Sequence, residues 1–330
     1  MTVDTQSLGN TELSMSNAHQ YCSKVAIIII NFKNLHDTSH CVNSLLQNCK
    51  NRNNPLQIIV IDNCSTDNSF VELKSISPEI KVLASERNLG FAGANNLGVA
   101  CALESGADYV FLLNNDAFVD NDTIERLVEV FNKDPTVGIV GATILDYCNP
   151  KIIDNMGAKI DYLTGRSTFI ANGELYRENR DDIDVDYTCG AAMMIKRGVI
   201  EKVGFLPEYY FLYSEEKDYC VRAKKKGYRV VVAAKAKVIH KGSSTVKRYV
   251  GLKNYYFHRN RLIFLRIHAK PYQFIFAILH SMLLILPFYS FTYLVRERIS
   301  RRDSLSELSS LVSGVLDSIR FKTGYTKKVN

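Results

Sequence analysis

The 330-residue chain has no C-x-x-C pair, no cluster of cysteine with histidine and no internal repeat. Its eight cysteines, at positions 22, 41, 49, 64, 101, 148, 189 and 220, are scattered. That spacing argues against a zinc site or a disulfide framework and fits a reducing cytoplasm. The first twenty residues, MTVDTQSLGNTELSMSNAHQ, lack the basic start and apolar run of a signal peptide and are expected to form a flexible tail. Acidic residues are scarce in one region only. Residues 251–330 hold 13 Lys/Arg against 4 Asp/Glu, whereas residues 1–250 hold 28 against 30. A basic tail can meet nucleic acid or an anionic membrane surface. Here residues 271–295, PYQFIFAILHSMLLILPFYSFTYLV, carry no charge and are flanked by arginines, a composition that favours the membrane over nucleic acid.

What is present is a core-forming chain, 46% hydrophobic. From Lys24 an apolar run VAIIII leads to a helical stretch, LHDTSHCVNSLLQN, and a second run, QIIVI, ending in DNCSTDNS. A third, IKVLA, precedes a Gly/Asn-rich loop, ERNLGFAGANN, a small-residue helix LGVACALESG and the run YVFLL. Continuous β-branched runs alternating with helices predict βαβ units and a mostly parallel sheet flanked by helices. Ligands of such sheets sit beyond the carboxyl ends of the strands. The runs here stop at Asn31, at Asp62 and at Asn114, Asn115 and Asp116. Past residue 150 the pattern loosens into a mixed α+β half.

Each strand end admits two readings. Asp62 can accept hydrogen bonds from a ribose or base, or it can simply form an Asx turn. The loop NLGFAGANN offers amides at Asn88 and Asn96 and close backbone approach at Gly90 and Gly93, or is a plain glycine turn. It is not the dinucleotide fingerprint, which follows a first strand, and INFKNLHD has no glycine-rich basic loop for a nucleotidyltransferase or dehydrogenase. NND can hold a divalent cation or cap the helix begun by DAFVDNDTIERL. In YSEEKD, Glu215, Glu216 and Asp218 can raise one another's pKa to make a general base, or can face a helix dipole with the following KKK at its far end. His240 closes VVVAAKAKVIH as a metal ligand or as a structural histidine.

Taken in order, these segments resemble an inverting family 2 glycosyltransferase of the GT-A fold, most closely the bacterial rhamnosyltransferase-like branch, from about Val25 to Arg266. The family's V-N-Y-N strand end is similar to INFK here, with Lys33 departing from the usual asparagine. Its V-D-N-x-S-x-D-G-S is IDNCSTDNS, which carries a nucleotide-base role onto Asp62. Its N-x-G-F-A-G-G-N-N-x-G is NLGFAGANNLG, with Ala94 in a glycine's place. Its D-x-D metal motif falls on Asn114, Asn115 and Asp116, with the first acid missing. Its E-D-x-D falls on Glu215, Glu216, Lys217 and Asp218, putting Glu216 at the catalytic-base position. A metal-binding histidine falls on His240. RNRLIFLRIH matches the branch's R-N-R-L-x-F-x-R-x-H, whose basic character suits a membrane-side or acceptor-phosphate role.

The resemblance implies a GT-A domain over residues 21–250, with donor contacts from Asn31, Asp62, Asn88, Gly93, Asn96 and Asn115. A divalent cation, Mg2+ or Mn2+, would sit on Asp116, His240 and Asn114. The donor would be a dTDP- or UDP-linked sugar, rhamnose or similar. The acceptor would be a polyprenyl-diphosphate-linked glycan for O-antigen, capsule or wall assembly, at the cytoplasmic face of the membrane. A homodimer is compatible with this reading, and a catalytically inactive nucleotide-sugar-binding protein is its alternative. Residues 251–330 are expected to be membrane-associated helices. The 25 apolar residues exceed the ~20 needed to span a bilayer, but Pro287 predicts a helix-break-helix lying in one leaflet, against the alternatives of a single pass or a buried core helix. Ser304 and Glu307 predict a capping box for a last helix with Leu308, Leu311, Val315 and Ile319 on one face.

Overall fold

A computed structural model describes residues 23–49, 56–242, 251–295 and 301–326; the expected N-terminal tail lies outside them. Val25–Asn31 (β1) is apolar until its last residue because both its faces are covered. Ala26 and Ile28 enter one core layer, Ile27 and Ile29 the other. β1 runs parallel to Leu56–Asp62 (β2) and Tyr109–Asn114 (β4), and β2 runs parallel to Ile80–Ala84 (β3). The crossovers are the helices Leu35–Cys49 (α1), Ser69–Ile76 (α2) and Gly90–Glu104 (α3). Register sets Asn31 beside Asp62 and Ile30 beside Asn114, so the polar strand ends form one row.

The other half of the sheet is mixed. Ala117–Val119 (β5) and the helix Thr123–Lys133 (α4) lead into Val137–Asp146 (β6), the short strands Ile153–Asn155 (β7), Ala158–Ile160 (β8), Ser167–Phe169 (β9) and Ile183–Asp184 (β10), and then Ala192–Lys196 (β11). The helices Arg197–Val203 (α5) and Glu215–Lys225 (α6) precede the long strand Arg229–His240 (β12). Among the described residues the main sheet is ordered β10-β12-β6-β11-β4-β1-β2-β3, with β5 on β12 and β7 on β6; β8 and β9 pair separately. β11 lies antiparallel between β4 and β6. Its leading turn, residues 189–191, therefore arrives at the carboxyl end of β4.

The expected loop ERNLGFAGANN is helical from Gly90 onward, a correction with a packing reason. A Cβ on Gly98 would lie 2.5 Å from Ile28 Cγ2, and one on Gly90, at φ +71°, 2.3 Å from the Phe211 carbonyl. The glycines let helix and sheet touch, and let Phe91 N–H reach the Phe211 carbonyl at 2.9 Å.

Leu252–His268 (α7) sends Leu262, Ile263, Phe264 and Leu265 into the same core as Ala26. The apolar stretch follows as Pro271–His280 (α8), a π turn at Ser281–Ile285 and Leu286–Val295 (α9). The expected break at Pro287 is absent: Pro271–Thr292 is one 22-residue helix whose most apolar 18-residue window has a mean hydropathy of 2.0. Proline lacks an N–H, and its ring presses on the carbonyl four residues back; the wider π turn just before it takes up that misfit. Only 11% of the helix's most apolar window is buried, which removes the core-helix alternative. The last helix, Arg301–Ile319 (α10), is already formed at Ser304, so the capping box is not its start. Of the predicted face, Leu311 and Val315 are buried, whereas Ile319 is exposed. α10 crosses α7 closely, since a Cβ on Gly314 would lie 2.6 Å from the Tyr255 carbonyl.

Candidate active site

After β4 the chain turns at Asn115 and crosses, as β5, to pair with the end of β12, matching Ala117 with His240. This brings Asp116 Oδ1 to 3.1 Å from His240 Nε2, with the Asn114 amide also 3.1 Å from that nitrogen. Lys241 N–H donates to the Asp116 carbonyl at 3.1 Å and fixes the pairing. The predicted metal residues thus converge. Adjacent ligands on a six-coordinate Mg2+ or Mn2+ stand about 3 Å apart, given bonds of about 2.1 Å, so the spacing of Asp116 and His240 suits such an ion. The Asn114 amide can turn its oxygen to the same point. Among the described residues no group of three or more His, Cys, Asp and Glu side chains is placed to hold a metal ion, so most of the shell would come from outside the protein.

Asn115, the middle residue of the trio, turns away and donates to Thr38 Oγ1 at 2.8 Å. Thr38 donates in turn to Asn31 Oδ1 at 2.8 Å, and Asn31 Nδ2 donates to Asp62 Oδ1 at 2.8 Å and Ser65 Oγ at 3.1 Å. Asn31 is fully buried, so its part is to hold the Asp62 carboxylate in place. Asn96 is likewise turned inward: it donates to the Leu206 carbonyl and to Glu208, and accepts from Leu206 N–H. Asn88 accepts from Gly90 N–H at 2.9 Å and from Asn63 Nδ2 at 3.0 Å, an Asx turn that starts α3. A Cβ on Gly93 would meet Leu89 Cβ at 2.9 Å. The polar atoms of Asn31 and Asn96 are thus engaged within the protein, and the space beside Gly93 is taken by Leu89.

Three residues, Asn63, Asp37 and Lys241, were not singled out by sequence. Asn63 accepts from Leu89 N–H and joins the second strand end to α3. Asp37 pairs with Lys241, the residue after His240, at 2.6 Å. Burial pushes the Asp37 carboxyl up, but bonds from Lys241, Asn34 and His36 outweigh this and hold it below the usual range. Lys33 sits at φ +52°, a left-handed conformation that the family's asparagine takes more readily. Adjacency to Asp62 and His240 was the available signal for Asn63 and Lys241.

The acids of α6 separate sharply. Asp218 is fully buried and accepts from Tyr209 and Tyr210 hydroxyls at 2.9 and 3.0 Å, Arg222 Nε at 2.7 Å and His268 Nε2 at 2.7 Å. Burial alone would raise its pKa; His268 and Arg222 outweigh that and keep it low. With four donors on its two oxygens, Asp218 ties the start of α6 to Tyr209, Tyr210 and His268. Glu215 is buried too, with Oε2 unpaired. Burial, and then the neighbouring Glu216, push its carboxyl well above the usual range, against weaker opposition from the Glu215 and Tyr213 amides. Glu216 is half-buried, the one acid of the three with access to solvent, and burial raises its pKa as well. Its Cβ faces Gly190, and Asn114 N–H donates to the Ala191 carbonyl at 2.9 Å. The 189–191 turn therefore joins the carboxylate cluster to the predicted metal residues.

Residues 26–204 match the model of Glycosyl transferase family 2. The chain belongs to this family. The family 2 chain is 22% identical over 304 residues to the dTDP-rhamnosyl transferase RfbF of Shigella flexneri, covering 86% of itself and 92% of that protein. It is 24% identical over 229 residues to the N-acetylglucosaminyl-diphospho-decaprenol L-rhamnosyltransferase of Mycobacterium tuberculosis, covering 64% and 75%. These relatives place it in the rhamnosyltransferase-like branch. To the low-salt glycan biosynthesis hexosyltransferase Agl10 of Haloferax volcanii it is 24% identical over 227 residues, spanning 66% of that protein's length. The mannosyltransferase PcManGT of Pyrobaculum calidifontis, solved with GDP-Man and Mn2+, superposes with a TM-score of 0.57 at 13% identity over 92% of this chain and 89% of that one. The fold is GT-A-like.

Proposed function

We propose that this enzyme moves a hexose, rhamnose or similar, from a dTDP- or UDP-linked donor to a hydroxyl of a polyprenyl-diphosphate-linked glycan, with inversion, at the cytoplasmic face of the membrane. The observation that carries the reading is the sorting of the α6 acids: Asp218 is saturated, Glu215 is enclosed, and Glu216 alone is both raised in pKa and reachable. Glu216 takes the proton of the acceptor hydroxyl. That oxygen attacks the anomeric carbon from the face opposite the leaving group, the bond to the diphosphate breaks, and the nucleoside diphosphate departs. Asp62, oriented by Asn31, receives the nucleotide's base or ribose. Asp116 and His240, with Asn114, would hold a divalent cation, whose chemistry is to offset the negative charge of the departing diphosphate.

The membrane assignment is supported by the exposed apolar helix, with Ile275, Leu279, Leu283, Leu284, Phe288 and Phe291 all uncovered. The mycobacterial relative's lipid-linked acceptor supports the acceptor class. A product-release assay across UDP-, dTDP- and GDP-sugars, with membrane extract as acceptor and with or without EDTA, tests the reading. Turnover that Glu216→Gln abolishes is expected; turnover that survives Glu216→Gln overturns the base assignment. No turnover with any donor would leave the nucleotide-sugar-binding alternative in its place.

A further inference from the structure

Between Tyr210 and α6 the backbone is strained. Phe211, Tyr213 and Ser214, none of them glycine, take φ of +67°, +68° and +77°. Such conformations persist only where the surroundings force them, and they gather at functional sites. The segment runs directly into Glu215, and the Tyr213 amide is one of the two that face the Glu215 carboxylate. What forces it is the Arg259-Asn260 pair of α7. Asn260 Nδ2 lies 3.0, 2.6 and 2.9 Å from the carbonyl oxygens of Tyr210, Leu212 and Tyr213. Arg259 Nη2 donates to the Tyr210 carbonyl at 2.7 Å, and its Nε donates to Asn260 Oδ1 at 2.8 Å, which turns the amide nitrogen toward the loop. Both side chains are fully buried, so the basic motif does not face a membrane or an acceptor phosphate at these two positions. The chain's end closes the clamp: Arg259 Nη1 donates to the Gly324 carbonyl at 2.8 Å, and Gly324 N–H donates to the Tyr209 carbonyl at 2.7 Å.

We infer that Asn260, oriented by Arg259, is a positioning residue for the carboxylates at 215 and 216: it holds the 211–214 backbone in its left-handed turn and so sets the start of α6. The inference rests on the reading of Glu216 as the base. Side-chain bonds to three carbonyls of one four-residue stretch are more than a surface loop needs for stability alone, and they end at the residues that do the chemistry.

The test is the full-length enzyme with Asn260→Ala, alone and combined with Ser214→Gly. Glycine takes a positive φ without strain, so it removes part of what Asn260 enforces. The single variant is expected to lose about 100-fold in kcat, as for a misplacement of about 1 Å, with the KM for the nucleotide sugar little changed. Its acidic pH limb should move down as the loosened loop wets the carboxylates. Adding Ser214→Gly should recover about tenfold of the loss, on the order of one left-handed residue's strain. If Asn260→Ala does not purify folded, Asn260→Ser, which retains one donor, is measured in the same way. A variant that melts at lower temperature but keeps kcat and the pH limb, or a loss that Ser214→Gly leaves untouched, overturns the inference. Activity that survives Glu216→Gln overturns instead the reading on which it rests.

Discussion

The Asp116 carboxylate and the His240 imidazole meet 3.1 Å apart although β4, which leads into Asp116, and β12, which ends at His240, are separated in the sheet by β6 and β11. The short strand β5 makes the meeting, by leaving the line of β4 and pairing with the end of β12. His240→Ala is expected to weaken Mn2+ binding, followed by titration calorimetry in the presence of nucleoside diphosphate, by at least about tenfold. Asn114→Asp supplies the missing acid and should tighten it, because ligand charge raises affinity for hard cations. Equal Mn2+ affinity in all three proteins would remove the ion from this position.

Activity should fall on the acid side at a higher pH than an ordinary glutamate would give. As the proposed base, Glu216 would act as the carboxylate, and burial raises its pKa above 4.5. The proton therefore returns, and kcat is lost, as pH falls through that raised value. For stability the raised pKa of Glu215 works in the opposite direction: a carboxyl raised in the folded state is stabilising when protonated and loses that contribution as pH rises above 4.5. Glu215→Gln should consequently raise the melting temperature at pH 8 while leaving it nearly unchanged at pH 4. Thermal unfolding at the two pH values checks this, and a melting temperature lowered at pH 8 would count against an enclosed carboxylate with one oxygen unpaired.

Asp218→Ala should destabilise the fold rather than tune catalysis. It strips two tyrosine hydroxyls, Arg222 and His268 of one buried acceptor, a change worth about 3–5 kcal/mol where a buried charge pair is broken. The folded pKa is held low, so this contribution is present above 3.8 and is lost as pH falls through the lowered value. Denaturant unfolding at neutral pH should show the loss for Asp218→Ala and almost none for Glu216→Gln.

The parallel half of the sheet was legible because β1, β2 and β4 are covered on both faces and so read as unbroken apolar runs ending in polar residues. The convergence of Asn114, Asp116 and His240 was legible only through the ordered resemblance, since β5's crossing leaves no periodic trace in three residues. Within the acid cluster only the resemblance pointed to Glu216; the residues themselves did not separate the three acids. Glu215, Glu216 and Asp218 look alike in sequence, and what separates them is Tyr209, Tyr210 and His268 arriving from other elements. The loop around Gly90 was misjudged because glycine and asparagine favour turns locally, whereas here the absence of a Cβ serves contact with Ile28 and Phe211. Tertiary contact overrides the local preference.

The exposed helix Pro271–Thr292 is expected to bind membranes through side chains rather than through the chain ends, so substitution tests it better than deletion. Deletion would also remove Ser281, whose hydroxyl receives Arg261 Nη2 at 2.7 Å inside the protein, and would mix folding defects with lost binding. Leu283 and Leu284 lie on the uncovered side at 69% and 61% exposure, so Leu283→Glu with Leu284→Glu disturbs no packing. Each large apolar side chain buried in lipid contributes about 1.5–3 kcal/mol, and each carboxylate set there costs about 2.5–3.5 kcal/mol. The unchanged protein should float with vesicles containing anionic phospholipid, more weakly as salt screens its basic flanks. The double variant should stay with the soluble fraction while keeping its melting temperature and its turnover on a soluble acceptor. Flotation equal to that of the unchanged protein would show that this helix is not what meets the bilayer.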